Sequence, residues 1–258
     1  MTSSSTSDLH INPSSPHTHT VVFLHDRGDN AQSCKMSLGH WRDSRGRSLP
    51  EVFGTFRWVF PQAPLRRCAS LGVTWPQWFD TSDGRAFSSN QDREAEGLRQ
   101  VIPILQKIIA AEVSTLGGRW DRVILAGSSM GAATGAHILF NLDIPKANGG
   151  RLAAFMGFSC RCPFAGRDLA AVRKAVGLKN TPHGNEVVAG TPMLLEHCAD
   201  DALVRVYDGK AMRDTLRGFG AQVEWKLYPD GGNWFNSPQG ADDAIKFLSR
   251  HVLAQELQ

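Results

Sequence analysis

The chain has no block of lysines and arginines interleaved with aromatics, no apolar stretch long enough to cross a bilayer and no cysteine framework. With a net charge of only +3 over 258 residues, the first absence argues against a nucleic-acid partner. The second predicts no membrane span. The five cysteines are an odd number. Cys160 and Cys162 stand too close for the usual zinc-ligand spacing and have no matching pair elsewhere, so no metal site and no cofactor are expected. Reduced thiols in a cytoplasmic protein are the expectation. The opening stretch lacks both the basic start and the apolar core of a secretion signal. Rich in Ser, Thr, Pro and His, residues 1–17 read as a flexible tail. No internal repeat and no second composition regime follow, so residues 18–258 read as a single domain.

What the chain does have is an alternation of apolar, β-branched runs with longer amphipathic stretches. Strands are predicted at 20–25, 56–60, 122–127, 152–159, 192–198 and 222–228. Most are continuous apolar runs, as strands buried on both faces of a parallel sheet require. The last alternates through Val223, Trp225 and Leu227 and is placed nearer an edge. Leu98, Val101, Ile102, Leu105, Ile108 and Ile109 form one helical stripe, and Ala241, Ala244, Ile245, Leu248 and Val252 form another. The fold class is therefore α/β, a mostly parallel central sheet flanked by helices. Working residues of such sheets sit on loops at the carboxyl ends of the strands.

One such loop is Gly127-Ser128-Ser129-Met130-Gly131, a G-x-S-x-G turn between a strand and a helix. Its glycines let the chain bend tightly enough to expose the Ser129 hydroxyl and free the next backbone N–H. Further polar loops follow the strands in order. "HDRGDN" closes the first, Asp200 and Asp201 follow "LLEHC", and "YPDGGNWF" closes the last. Nucleophile, acid and base come in that order in α/β-hydrolases.

From about Val21 to Leu253 the sequence resembles the acyl-protein thioesterase/phospholipase-carboxylesterase family, its fungal branch in particular. The resemblance is carried by "FLHDRGDNA", "FPQAP", "QWFD", "GSSMG", "GFSCRCPF", "HCADDALV" and "YPDGGNWFNSPQG". It implies an α/β-hydrolase fold, a cytosolic location and acyl esters or thioesters as ancestral substrates. Position by position it implies Ser129 as nucleophile, Asp201 as triad acid, and the N–H groups of Arg27 and Met130 as oxyanion donors. Two positions depart. Asp26 stands where the family has glycine, and Asn233 where it has the catalytic histidine.

Asparagine has no basic nitrogen, so Asn233 can orient a group but cannot take the serine proton. A carboxylate at Asp26 would oppose a developing oxyanion; protonated, it becomes a donor or general acid. A plainer reading makes Asp26 a loop residue capping the next turn. His25 and His197 are the candidate substitute bases, but the family carries both without using them so, which favours packing or loop bracing. Trp75, Trp78, Phe164 and Trp234 are the candidate walls of an apolar pocket. Three functions follow: an enzyme repurposed for acid/base chemistry such as cyclisation, isomerisation or elimination; a serine esterase or thioesterase with Asn233 an inactivating substitution; or a non-catalytic acyl-ligand or partner binder. Two changes in one site favour the first. The expected partner is a small apolar acyl or carbonyl substrate, with homodimerisation left open.

Overall fold

The computed structural model describes residues 9–69, 71–81 and 91–254. Its strands are β1 (Leu9–Ile11), β2 (His19–Leu24), β3 (Phe56–Phe60), β4 (Leu65–Arg67), β5 (Thr74–Pro76), β6 (Val123–Ser128), β7 (Ala154–Phe158), β8 (Met193–Cys198) and β9 (Val223–Tyr228). Seven of them form one sheet in the order β1-β3-β2-β6-β7-β8-β9, and β4-β5 is a separate hairpin. Every pairing in the large sheet is parallel except that of β1 with β3. The predicted strands lie within a residue or two of the observed ones, and β9 is indeed an edge.

The helices are α1 (Ala31–His40), α2 (Leu49–Val52), α3 (Gln91–Thr115), α4 (Met130–Phe140), α5 (Leu169–Val176), α6 (Glu186–Gly190), α7 (Val206–Gly218) and α8 (Gln239–Leu248). They cover both faces of the sheet. Within β2, Val22 and Leu24 join one core cluster, while Val21 and Phe23 join the other. The period-2 geometry of a strand sends alternate side chains to opposite faces, so a strand covered twice must be apolar throughout. The stripe read in α3 packs in the first cluster, and that of α8 in the second.

The expected tail ends sooner than residue 17. Leu9–Ile11 pairs with β3 in the register Leu9↔Phe60 and Ile11↔Trp58, and both aliphatic side chains pack against the second cluster. A Leu-x-Ile alternation outweighs the polar composition around it because the open edge of β3 supplies partners for its backbone. Residues 1–8 lie outside the described residues.

Candidate active site

Ser129 joins β6 to α4 with φ 50° and ψ −113°. A non-glycine residue held there is strained by roughly 1–3 kcal/mol, and the surroundings must over-determine it. They do so through its glycines. A Cβ on Gly127 would lie 2.6 Å from the Ala132 nitrogen, and one on Gly131 would lie 2.2 Å from the Leu24 carbonyl oxygen. The turn is thus packed backbone to backbone against the end of β2. The Ser129 N–H donates to the Phe158 carbonyl at 2.8 Å, which ties the turn to the end of β7.

The loop after β2 supplies the next group. The N–H groups of Arg27 and Met130 converge on a single atom, Oδ1 of Asp26, at 2.5 and 3.1 Å. Met130 opens α4, so the positive end of that helix faces the carboxyl as well. Asp26 is therefore no turn-capping residue. Its oxygen occupies the point on which both N–H groups converge, the donors that the family resemblance assigns to an oxyanion. Burial raises its pKa above the ordinary carboxylate range; the donors, the Ser129 side chain and the Arg27 charge pull the other way without cancelling it.

The loops after β8 and β9 hold each other. Asp201 Oδ1 accepts from the N–H groups of Leu203 and Val204 at 2.8 and 2.9 Å. Its Oδ2 accepts from the Asn233 side-chain amide at 3.0 Å. Asp200 pins the same turn by accepting from the Gly232 N–H at 2.8 Å. That turn needs Gly231 at φ +126°, where a Cβ would meet Cys198 Sγ at 2.6 Å. Asn233 thus makes toward Asp201 the hydrogen bond that a histidine's outer N–H would make, and offers no basic nitrogen inward.

Neither substitute histidine is placed to replace it. His25 donates through Nδ1 to the Asp26 carbonyl at 2.7 Å, and its Nε2 accepts from the Ala63 N–H at 3.0 Å. Both ring nitrogens are spent bracing the loop, and burial lowers its pKa. His197 Nε2 donates to the Val204 carbonyl at 2.9 Å and lies 3.6 Å from Asp201 Oδ2. It braces the acid loop.

A cavity of about 160 Å³ opens over Ser129 and Asp26, walled by Trp75, Phe79, Met130 and Leu203, with Arg27 and Arg161 at its edge. Of the four aromatics expected here, only Trp75 is present. Trp78 is buried beneath the loop, donating through Nε1 to the His25 carbonyl at 2.8 Å. Phe164 lines a second cavity, of about 490 Å³, between the loop after β7 and α7. Trp234 is 41% exposed and lines neither. Sequence reading missed Phe79 and Arg161. Arg161 lies on the loop after β7, three residues past its last residue Phe158, on the side of the sheet that the strand-end rule singles out. Arg161 borders both cavities.

Residues 9–252 match the Phospholipase/Carboxylesterase family, and the chain belongs to that family of α/β-hydrolase-fold enzymes. Acyl-protein thioesterase 1 of Gibberella zeae is 27% identical over 92% of each chain. That of Schizosaccharomyces pombe is 29% identical over 75% of this chain and 73% of its own. Among solved structures, Zea mays acyl-protein thioesterase 2 superposes with a TM-score of 0.71 at 23% identity, covering 95% of this chain and 98% of the other. The last supports the fold alone.

Proposed function

We propose that this family member is a serine acyl hydrolase of esterase or thioesterase type, with Ser129 as nucleophile and Asp201 as acid, slowed by Asn233 at the base position. The observation that carries the reading is the pair of N–H groups, Arg27 and Met130, aimed at one oxygen beside the strained Ser129. Two preorganised donors at that spacing stabilise an acyl oxyanion. The relatives named as acyl-protein thioesterases favour acyl thioesters or esters as the substrate class. Removing the base from a comparable triad costs about a millionfold in turnover, so hydrolysis proceeds on positioning and on donors that a substrate carbonyl reaches only by displacing Asp26.

A fluorophosphonate probe and p-nitrophenyl acetate test this. Weak labelling at Ser129 and slow turnover, both abolished by Ser129→Ala, are expected. Turnover indifferent to Ser129→Ala overturns the reading.

One observation favours a second reading: a largely enclosed carboxyl, with its pKa raised by burial, sits where the oxyanion belongs. Such a group can donate or accept a proton at a substrate carbonyl without an activated serine. This repurposed enzyme would keep its native reaction in Ser129→Ala and lose it in Asp26→Asn.

A further inference from the structure

The cavity over Ser129 is mostly apolar but carries two cationic side chains in its lining. Two guanidinium groups border it, and each lies against one of its aromatic walls. The Arg27 guanidinium carbon is 5.5 Å from the Trp75 ring centroid, and that of Arg161 is 5.7 Å from Phe79. A cation stacked on a ring is held in place by the ring's quadrupole and shape. Arg161 is only 8% exposed and is oriented from behind by an ion pair with Glu94 of α3. Arg27 makes no ion pair among the described residues. It lines the cavity with Asp26, the one carboxyl among the described residues that does so.

A saturated acyl chain gains little from these groups and would strip water from them at a cost. The cavity is also small, about 160 Å³. A short compound fits within it, and a long chain would extend past Arg161, which also lines the larger cavity. Planar guanidinium groups pair best with a planar anion of their own width.

We propose that Arg27 and Arg161 form an anion subsite, and that the substrate at Ser129 is a short acyl or carbonyl compound carrying a carboxylate. This rests on the reading that substrate binds over Ser129, whichever chemistry follows there. It amends the expectation of a small apolar substrate by giving that substrate one charged end.

Binding, rather than turnover, separates the two ideas. Monomethyl succinate and dimethyl succinate differ by one charge and little in shape, and calorimetry on the full chain reads their affinities. The monoester should bind roughly tenfold or more tightly, the effect of one charge-assisted hydrogen bond. Arg27→Gln should erase most of that preference, read as the ratio of the two affinities. Arg161→Gln would strand Glu94, so Arg161 is tested as the paired change Arg161→Gln with Glu94→Gln, whose melting temperature checks folding. It should also reduce the preference. Equal affinity for the two esters, or a preference that survives Arg27→Gln, overturns the subsite while leaving the Ser129 pocket standing. Failure of both esters to bind overturns the pocket itself and the subsite with it.

Discussion

On the function proposed above, Asn233 and Asp26 depart from a working serine hydrolase by opposite means. On that reading a function is subtracted at Asn233. The side chain still donates to Asp201, the loop keeps its turn at Gly231 and its bond from Gly232 to Asp200, and only a basic nitrogen is missing. At Asp26 something is added. A carboxyl takes up both expected oxyanion donors, and a carbonyl can reach them only by displacing it. A subtraction leaves its surroundings ready for reversal; an addition blocks whatever is restored beside it.

The largest effect should therefore come from reversing both. Asn233→His supplies the base but leaves the donors occupied, so p-nitrophenyl ester hydrolysis should rise modestly. A carboxylate about 5 Å from an oxyanion at an effective dielectric near 20 opposes it by roughly 3 kcal/mol, or about a hundredfold. Asp26→Gly with Asn233→His should then exceed the product of the single changes by a factor of that order, the coupling expected of residues sharing one site. If Asn233→His alone recovers as much as the double change, the two positions are independent and the contrast fails.

How much of this was legible without coordinates follows the same division. Strands buried on both faces announce themselves as unbroken apolar runs, and G-x-S-x-G between a strand and a helix announces the turn at Ser129. Both departures were visible as single letters in otherwise matching motifs. The consequence of Asp26 was not, because the Met130 N–H, 104 positions away, joins that of Arg27 on its oxygen only after β2 and β6 pair in register. The cavity walls were the least legible part. Trp75, Trp78 and Phe79 lie within a few residues, and which faces the cavity depends on how the stretch leaves β5. Trp78 turned inward because the buried His25 carbonyl needed a donor, a demand no local pattern contains.

A smaller effect sharpens the contrast through pH. Burial raises the Asp26 pKa in the folded chain, so between its ordinary value near 4 and that raised value the folded state holds more protons than the unfolded state. Stability then falls as pH rises through this window. The stabilising contribution of the neutral carboxyl is fully present below about pH 4 and lost as the folded group ionises. Asp26→Asn keeps an oxygen for both N–H groups and removes the titration. In urea unfolding curves its stability relative to the parent should therefore improve as pH rises above about 4, until the folded Asp26 ionises. A gap that stays constant or narrows would mean that Asp26 is stabilised as a carboxylate, and that the donors outweigh burial.

The smallest effect belongs to Asn233. Its amide makes one hydrogen bond to Asp201, whose other oxygen is already satisfied by the Leu203 and Val204 N–H groups. The residue is half-buried, so water can replace part of what Asn233→Ala removes. A hydrogen bond to a charged group in such a place contributes about 1 kcal/mol. Asn233→Ala should therefore lower stability by about that amount, read in urea unfolding curves. A double-mutant cycle with Asp201→Asn tests whether the cost arises from this one bond, because the pair should then show a coupling of similar size. A loss several times larger, with little coupling to Asp201, would make Asn233 a structural keystone of the loop. The contrast with Asp26 would then be lost, since the base position would be rebuilt rather than merely emptied, and Asn233→His would disturb the loop instead of restoring it.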